Sequence, residues 1–202
     1  MKGLLYKDLC NLRGQMKTYL VLIGFWLVLS VMNGGTAFFS GVMAMLGVLT
    51  VMTAVGYDER AQWDAQALVM PVTRTGVVLA RYVFGFLSAS VSCLAAGAVS
   101  FLFGEESPSE KLLLLLAFWS VSLLLTAVLL PLVLRFGTEK ARYLMMAVVL
   151  LPIAAAWLLA KTGVVLSEEN FLSALPVLPV FAAAAQIASF FVSLAIYRKK
   201  EF

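Results

Sequence analysis

Histidine is missing from the 202-residue chain and cysteine occurs only twice. Without imidazole, the commonest general base and every His-containing metal site are excluded. The adjacent acids Glu105 and Glu106 therefore lack the ligands that an intramembrane metalloprotease would need. Cys10 falls in a charged amino-terminal stretch and Cys93 well inside an apolar run, so their different depths disfavour a disulfide. No Gly-Lys pair occurs anywhere, which excludes a phosphate-binding loop, whose amides and lysine must hold the phosphates together. Charge itself is scarce, at 13% of residues, and none lies between Thr18 and Tyr57.

What fills the chain instead is hydrocarbon. Apolar residues make up 62% and the mean hydropathy is +0.98, against roughly 45–50% apolar content in ordinary globular domains. The sequence predicts an all-α polytopic membrane protein. Asn33-Gly34-Gly35-Thr36 interrupts the first uncharged stretch with turn formers, dividing it into a hairpin of two helices. Four more runs follow, at Val77–Phe103, Leu112–Leu134, Leu144–Ala160 and Ala174–Tyr197. Each approaches the ~20 residues needed to cross about 30 Å at ~1.5 Å per residue. Six spans are expected in one membrane domain, residues 18–202, preceded by residues 1–17. The first span is the shortest.

The basic residues orient these spans. With both ends cytosolic, 13 of 15 Lys and Arg residues lie inside: Lys2, Lys7, Arg13, Lys17, Arg60, Arg74, Arg81, Arg135, Lys140, Arg142, Arg198, Lys199 and Lys200. Only Lys111 and Lys161 lie outside. Acids divide six inside and five outside, giving 13 − 6 = +7 within and 2 − 5 = −3 without, which sum to the net +4 of the chain. This is the positive-inside pattern of a multi-pass membrane protein with both termini in the cytosol. The basic pI near 9.2 then reflects attraction to anionic headgroups and gives no signal for nucleic acid. Met1 to Lys17 is too long and mixed for a signal sequence, and the first span is expected to be retained.

Two soluble segments have a character of their own. In the first, Leu5, Leu9, Leu12 and Met16 fall at i, i+4, i+7 and i+11, the pattern of an interfacial amphipathic helix that guides the first span. The second, residues 57–76, is expected to carry a separate short helix: Asp58 and Glu59 suit its start, Ala61, Ala65, Ala67 and Leu68 propagate it, and Pro71 ends it. Trp63, Ala67 and Met70 form an apolar patch between Asp58, Glu59, Arg60 and Asp64. Such a knob is either a headgroup-level Trp anchor or a docking helix for a cytosolic partner. The three acids favour docking, because anionic lipid repels them and a basic protein rim attracts them.

The pattern Tyr-Asp-Glu-x-x-x-Trp-Asp at 57–64, then Leu-x-x-Pro-x-x-Arg at 68–74 and Arg81-Tyr82, resembles the small bacterial type-2 ATP-binding-cassette (ABC) exporter permeases. The likeness in layout extends over all six spans, while the specific motif covers about residues 57 to 82. The resemblance implies that the loop is a coupling helix seated in a groove of an ATPase subunit. Asp58, Glu59, Trp63 and Asp64 would lie in that helix, and Pro71 and Arg74 would turn the chain into the third span. It also implies that ATP and Mg are bound by the partner ATPase, with no cofactor in this chain, and that a second permease copy or a paralogue completes the membrane unit. The short loop from Lys161 to Ser173 departs from larger relatives, which have re-entrant outer helices or an extracellular domain there.

Within the spans, Arg81 is the one charge, about a turn from the cytosolic boundary, where it can snorkel. Ser88, Ser90, Ser92 and Gly97 on the third span, with Gly41, Ala44 and Gly47 on the second, are expected to pack helices closely. Pro131, Pro152, Pro176 and Pro179 can kink the last three spans. Gln186 is expected to bond across a helix interface in preference to lining a path. A buried intramembrane carboxylate, the usual mark of proton or sodium coupling, is missing. The resulting expectation is ATP-driven export of a hydrophobic or amphipathic peptide, lipid or drug; the alternative is a non-transporting scaffold or sensor that recruits a partner through residues 57–76.

Overall fold

A computed structural model describes residues 2–32, 35–63, 66, 73–104, 107–161 and 175–199. Every long element among them is an α-helix: α1 (Lys2–Arg13), α2 (Met16–Met32), α3 (Ala37–Arg60), α4 (Arg74–Phe103), α5 (Pro108–Phe136), α6 (Thr138–Lys161) and α7 (Leu178–Lys199), with a 3-10 turn at Leu175–Val177 before α7. The helical reading of the sequence is thus met, and no strand occurs among the described residues.

Local chemistry sets the ends. Thr73 caps α4 by accepting a hydrogen bond from the Gly76 amide at 3.1 Å. Ser107, Pro108 and Glu110 open α5 with a capping box and a proline in its first turn, where the missing N–H is harmless. Gly137, at φ +81°, closes α5 and lets α6 begin at the next residue. Pro131 lies inside α5 without ending it. Pro176 falls in the 3-10 turn and Pro179 at the second position of α7, a place that proline tolerates.

α3, α4, α5 and the Leu175–Lys199 segment are each long and apolar enough to cross a membrane; α1 and α2 qualify together as a pair bent by 67°. The described helices therefore support four or five spans where the sequence predicts six. α2 alone has 17 residues, about 26 Å at 1.5 Å per residue, short of a ~30 Å core. Leu94 and Leu102 are 74% and 76% exposed, which suits a lipid-facing surface.

α5 packs against α3, α4, α6 and α7, and α1 lies across α3 and α4. The main core collects Val51, Val78, Leu129, Leu130 and Tyr197 from α3, α4, α5 and α7. Because lipid is as apolar as leucine, close approach and interhelical hydrogen bonds must hold such helices together. The small residues serve this purpose. A Cβ on Gly47 would stand 3.0 Å from the Ser92 hydroxyl, and Ser88 donates to the Gly47 carbonyl at 2.9 Å. On Gly85 a Cβ would stand 2.8 Å from a Thr126 methyl. Gln186 donates across the α5–α7 interface to the Leu123 carbonyl at 2.9 Å. Tyr82 reaches Ser189 and Ser193, one turn apart on α7, at 2.6 and 2.7 Å.

Candidate functional site

The charged loop predicted to carry coupling emerges where α3 ends, and the structure gathers four helices there. α3 runs on to Arg60, so Asp58 and Glu59 occupy its last turn and do not begin a separate helix. Acids at a helix C-terminus oppose the helix dipole. Here each is drawn away by a stronger partner, and to opposite sides.

Asp58 turns inward. It is 6% exposed, accepts a hydrogen bond and ion pair from Lys7 of α1, and lies 3.6 Å from the Arg81 guanidinium of α4. A carboxylate so far from water persists only when paired. Asp8 joins the group, its carboxylate 3.1 Å from the Lys7 ammonium. Burial pushes the Asp8 carboxyl above its ordinary value of 3.8, and Lys7 partly opposes that rise while Asp58 adds to it. Two acids and two cations make a neutral knot across three helices. Arg81 therefore does not snorkel to water as expected: at 6% exposure its guanidinium lies within ion-pair distance of Asp58.

Glu59 turns the other way. Its carboxylate accepts the backbone N–H of Thr138 at 2.6 Å, the first residue of α6. It thus exchanges an unfavourable helix C-terminus for a favourable N-terminus. This approach requires Gly137, since a Cβ there would stand 2.6 Å from Glu59 Oε1. Two consecutive acids thereby clasp the end of α3 to α1 and α4 on one side and to α6 on the other.

Trp63 is half-buried against the main core, and the Lys7 ammonium lies 4.5 Å from its ring centroid, a cation–π distance. Between it and α3, Gln62 adopts φ +48°, a left-handed conformation that breaks the helix. Arg74 opens α4 and donates to the Arg198 carbonyl at the end of α7, at 2.7 Å. Asp64 and Pro71 lie outside the described residues, as do Ala65, Ala67, Leu68 and Met70 of the expected coupling helix. The structure therefore brings Asp58, Glu59, Trp63 and Arg74 to one end of the bundle, where Lys7, Arg81 and Arg198 also lie.

Sequence reasoning did not find Lys7, Arg81, Gly137 and Thr138 as the partners of these acids. Lys7 and Asp58 are 51 positions apart, and only the crossing of α1 over α3 joins them. One signal was available for Gly137: a glycine flanked by apolar helix and by Thr138-Glu139 reads as the end of one helix and the start of another.

Comparison with known proteins adds the family. A profile described as ABC-2 family transporter protein matches residues 3–198, from the first turn of α1 to the last turn of α7. No curated protein and no solved structure matches the chain. A bundle of membrane-crossing helices whose charged end is knotted in this way, matched over nearly its whole length, belongs to the ABC-2 transporter family, as a membrane-embedded permease.

Proposed function

We propose that the chain is one permease subunit of an ABC exporter for a hydrophobic or amphipathic substrate, driven by a separate ATPase that binds ATP and Mg. In this reading it has six spans and both termini in the cytosol of a bacterial cell, and pairs with a second permease copy or a paralogue. The clasp at the end of α3 carries the proposal. A docking segment can transmit force only if its root is fixed to the helices that must move, and Asp58 and Glu59 fix that root to α1, α4 and α6. Load applied by an ATPase on the loop around Trp63, Asp64 and Pro71 would reach four helices at once. Arg74, bonded to the end of α7, extends the same load to a fifth.

The acids then have separate duties. Asp58 and Glu59 transmit, because their carboxylates are taken up inside the chain. Asp64, outside the described residues, is assigned to a basic rim on the ATPase. Membership in a transport family favours this over the scaffold alternative.

The test separates docking from transmission. Tagged full-length chain is captured in mild detergent, and the ATPase recovered with it is assayed with each variant. Asp64→Lys should weaken capture. Asp58→Asn should leave capture intact while abolishing the stimulation of ATP hydrolysis by the permease. Failure to recover any ATPase, or full stimulation with both variants, would sink the proposal.

A further inference from the structure

Beside the clasp, the structure carries a site that the coupling role does not use. A cavity of about 320 Å³ opens between the end of α3 and the start of α6, and Arg60 and Arg142 stand at its mouth. Both are exposed, and among the described residues neither has an ion-pair partner within 4 Å. Tyr57, Gln15 and Thr53 supply its polar wall, already set in place. Gln15 donates to the Tyr57 hydroxyl at 3.2 Å, and Thr53 lies 3.2 Å from the Tyr19 hydroxyl.

The inner wall of this cavity is apolar and does not end there. Leu49, Met52 and Met146, together with Arg142, also line a second cavity of about 330 Å³ that continues between α3, α5 and α6. Its further walls are hydrocarbon and thioether: Met45, Val48, Leu125, Met145 and Val149 among them. Methionine is the side chain best able to mould itself to a flexible chain. Each cavity is of the size that holds a small ligand. Together they present two guanidiniums with no ion-pair partner among the described residues and an apolar cleft leading away from them.

We propose that this is a binding site for an anionic phospholipid of the leaflet at the basic end, its phosphate between Arg60 and Arg142 and an acyl chain in the methionine-lined cleft. Charge complementarity selects the headgroup, since planar guanidiniums match phosphate oxygens in pairs. Arg60 is the last residue of the membrane-crossing α3 and Arg142 lies near the start of α6, at the basic end of the bundle where anionic headgroups are attracted. The apolar cavity between α1, α2, α3 and α4, about 400 Å³, supports no such selection, because no cation lines it. The site requires no ATPase and stands apart from the export proposal.

The experiment is native mass spectrometry of the full-length chain, purified in mild detergent and offered phosphatidylglycerol, phosphatidylcholine or inorganic phosphate. The wild type should retain phosphatidylglycerol about tenfold or more over phosphatidylcholine, as two cations near the surface allow. Arg60→Gln with Arg142→Gln should bring that preference to within about twofold, while Arg135→Gln, an exposed cation outside these cavities, leaves it unchanged. Met146→Trp, which fills the junction of the two cavities, should lose both lipids, with thermal unfolding confirming that each variant is folded. Four results would overturn the proposal: an unchanged preference in the double variant, an equal loss with Arg135→Gln, displacement of the lipid by millimolar inorganic phosphate, or a second copy of the chain bound with no lipid adduct.

Discussion

Two pairs of cations at the basic end have opposite fates. Lys7 of α1 and Arg81 of α4 converge on Asp58 and lie largely out of water, whereas Arg60, at the end of α3, and Arg142, near the start of α6, meet no carboxylate within ion-pair distance among the described residues. Formal charge is identical. What separates the pairs is whether a helix crossing brings an acid within reach. Where it does, the charges become internal fasteners whose removal leaves a buried ion behind; where it does not, they remain at the surface for something else to neutralise.

Substitutions can widen or erase this contrast. The largest effect is expected for Asp58→Lys, which strands Lys7 and Arg81 against a third cation. Breaking a buried pair costs about 3–5 kcal/mol, so thermal unfolding in detergent should show a collapse in stability. Gly137→Ala comes next, at roughly 1–3 kcal/mol, since it combines a strained φ with the close approach of Glu59. In an Glu59→Ala background the same change should cost distinctly less, and an undiminished cost would remove Glu59 from the account. Asp8→Asn is expected to be smaller and to change the pH response. A carboxyl raised by burial in the folded state contributes stability that is full below its unfolded value and is lost as pH rises through its folded value. The unfolding temperature of the wild type should therefore fall with rising pH across the carboxylate range relative to Asp8→Asn, and parallel curves would contradict the buried placement. Arg60→Gln with Arg142→Gln closes the series, within about 0.5 kcal/mol of wild type, even though it removes two charges.

Much of the fold was legible because lipid imposes a simple rule: uncharged stretches become helices, and turn formers or charges end them. Gly137 and the proline at the start of α5 both obey it. Boundaries failed where tertiary pairing overrode local preference. Asp58-Glu59 reads as a helix start from dipole considerations alone, yet α3 continues through both residues because Lys7, Arg81 and the Thr138 amide outweigh the dipole. The burial of Arg81 was unreadable for the same reason, its counter-ion Asp58 lying on another helix. The small-residue faces and Gln186 were readable as packing elements, since a serine or glycine stripe has few other uses between helices. Tyr82 with Ser189 and Ser193 was not, as nothing local links residues more than 100 positions apart.

The knot also constrains how the protein is made. Asp58 needs a residue from the first helix and another from the fourth, so it has only half of its partners when α3 enters the membrane. Of its two cations only Lys7 is available until Arg81 has been synthesised, although Gln15–Tyr57 and Tyr19–Thr53 already join the first two helices to α3. The buried charge of Asp58 is therefore fully paired only once the fourth helix is in place.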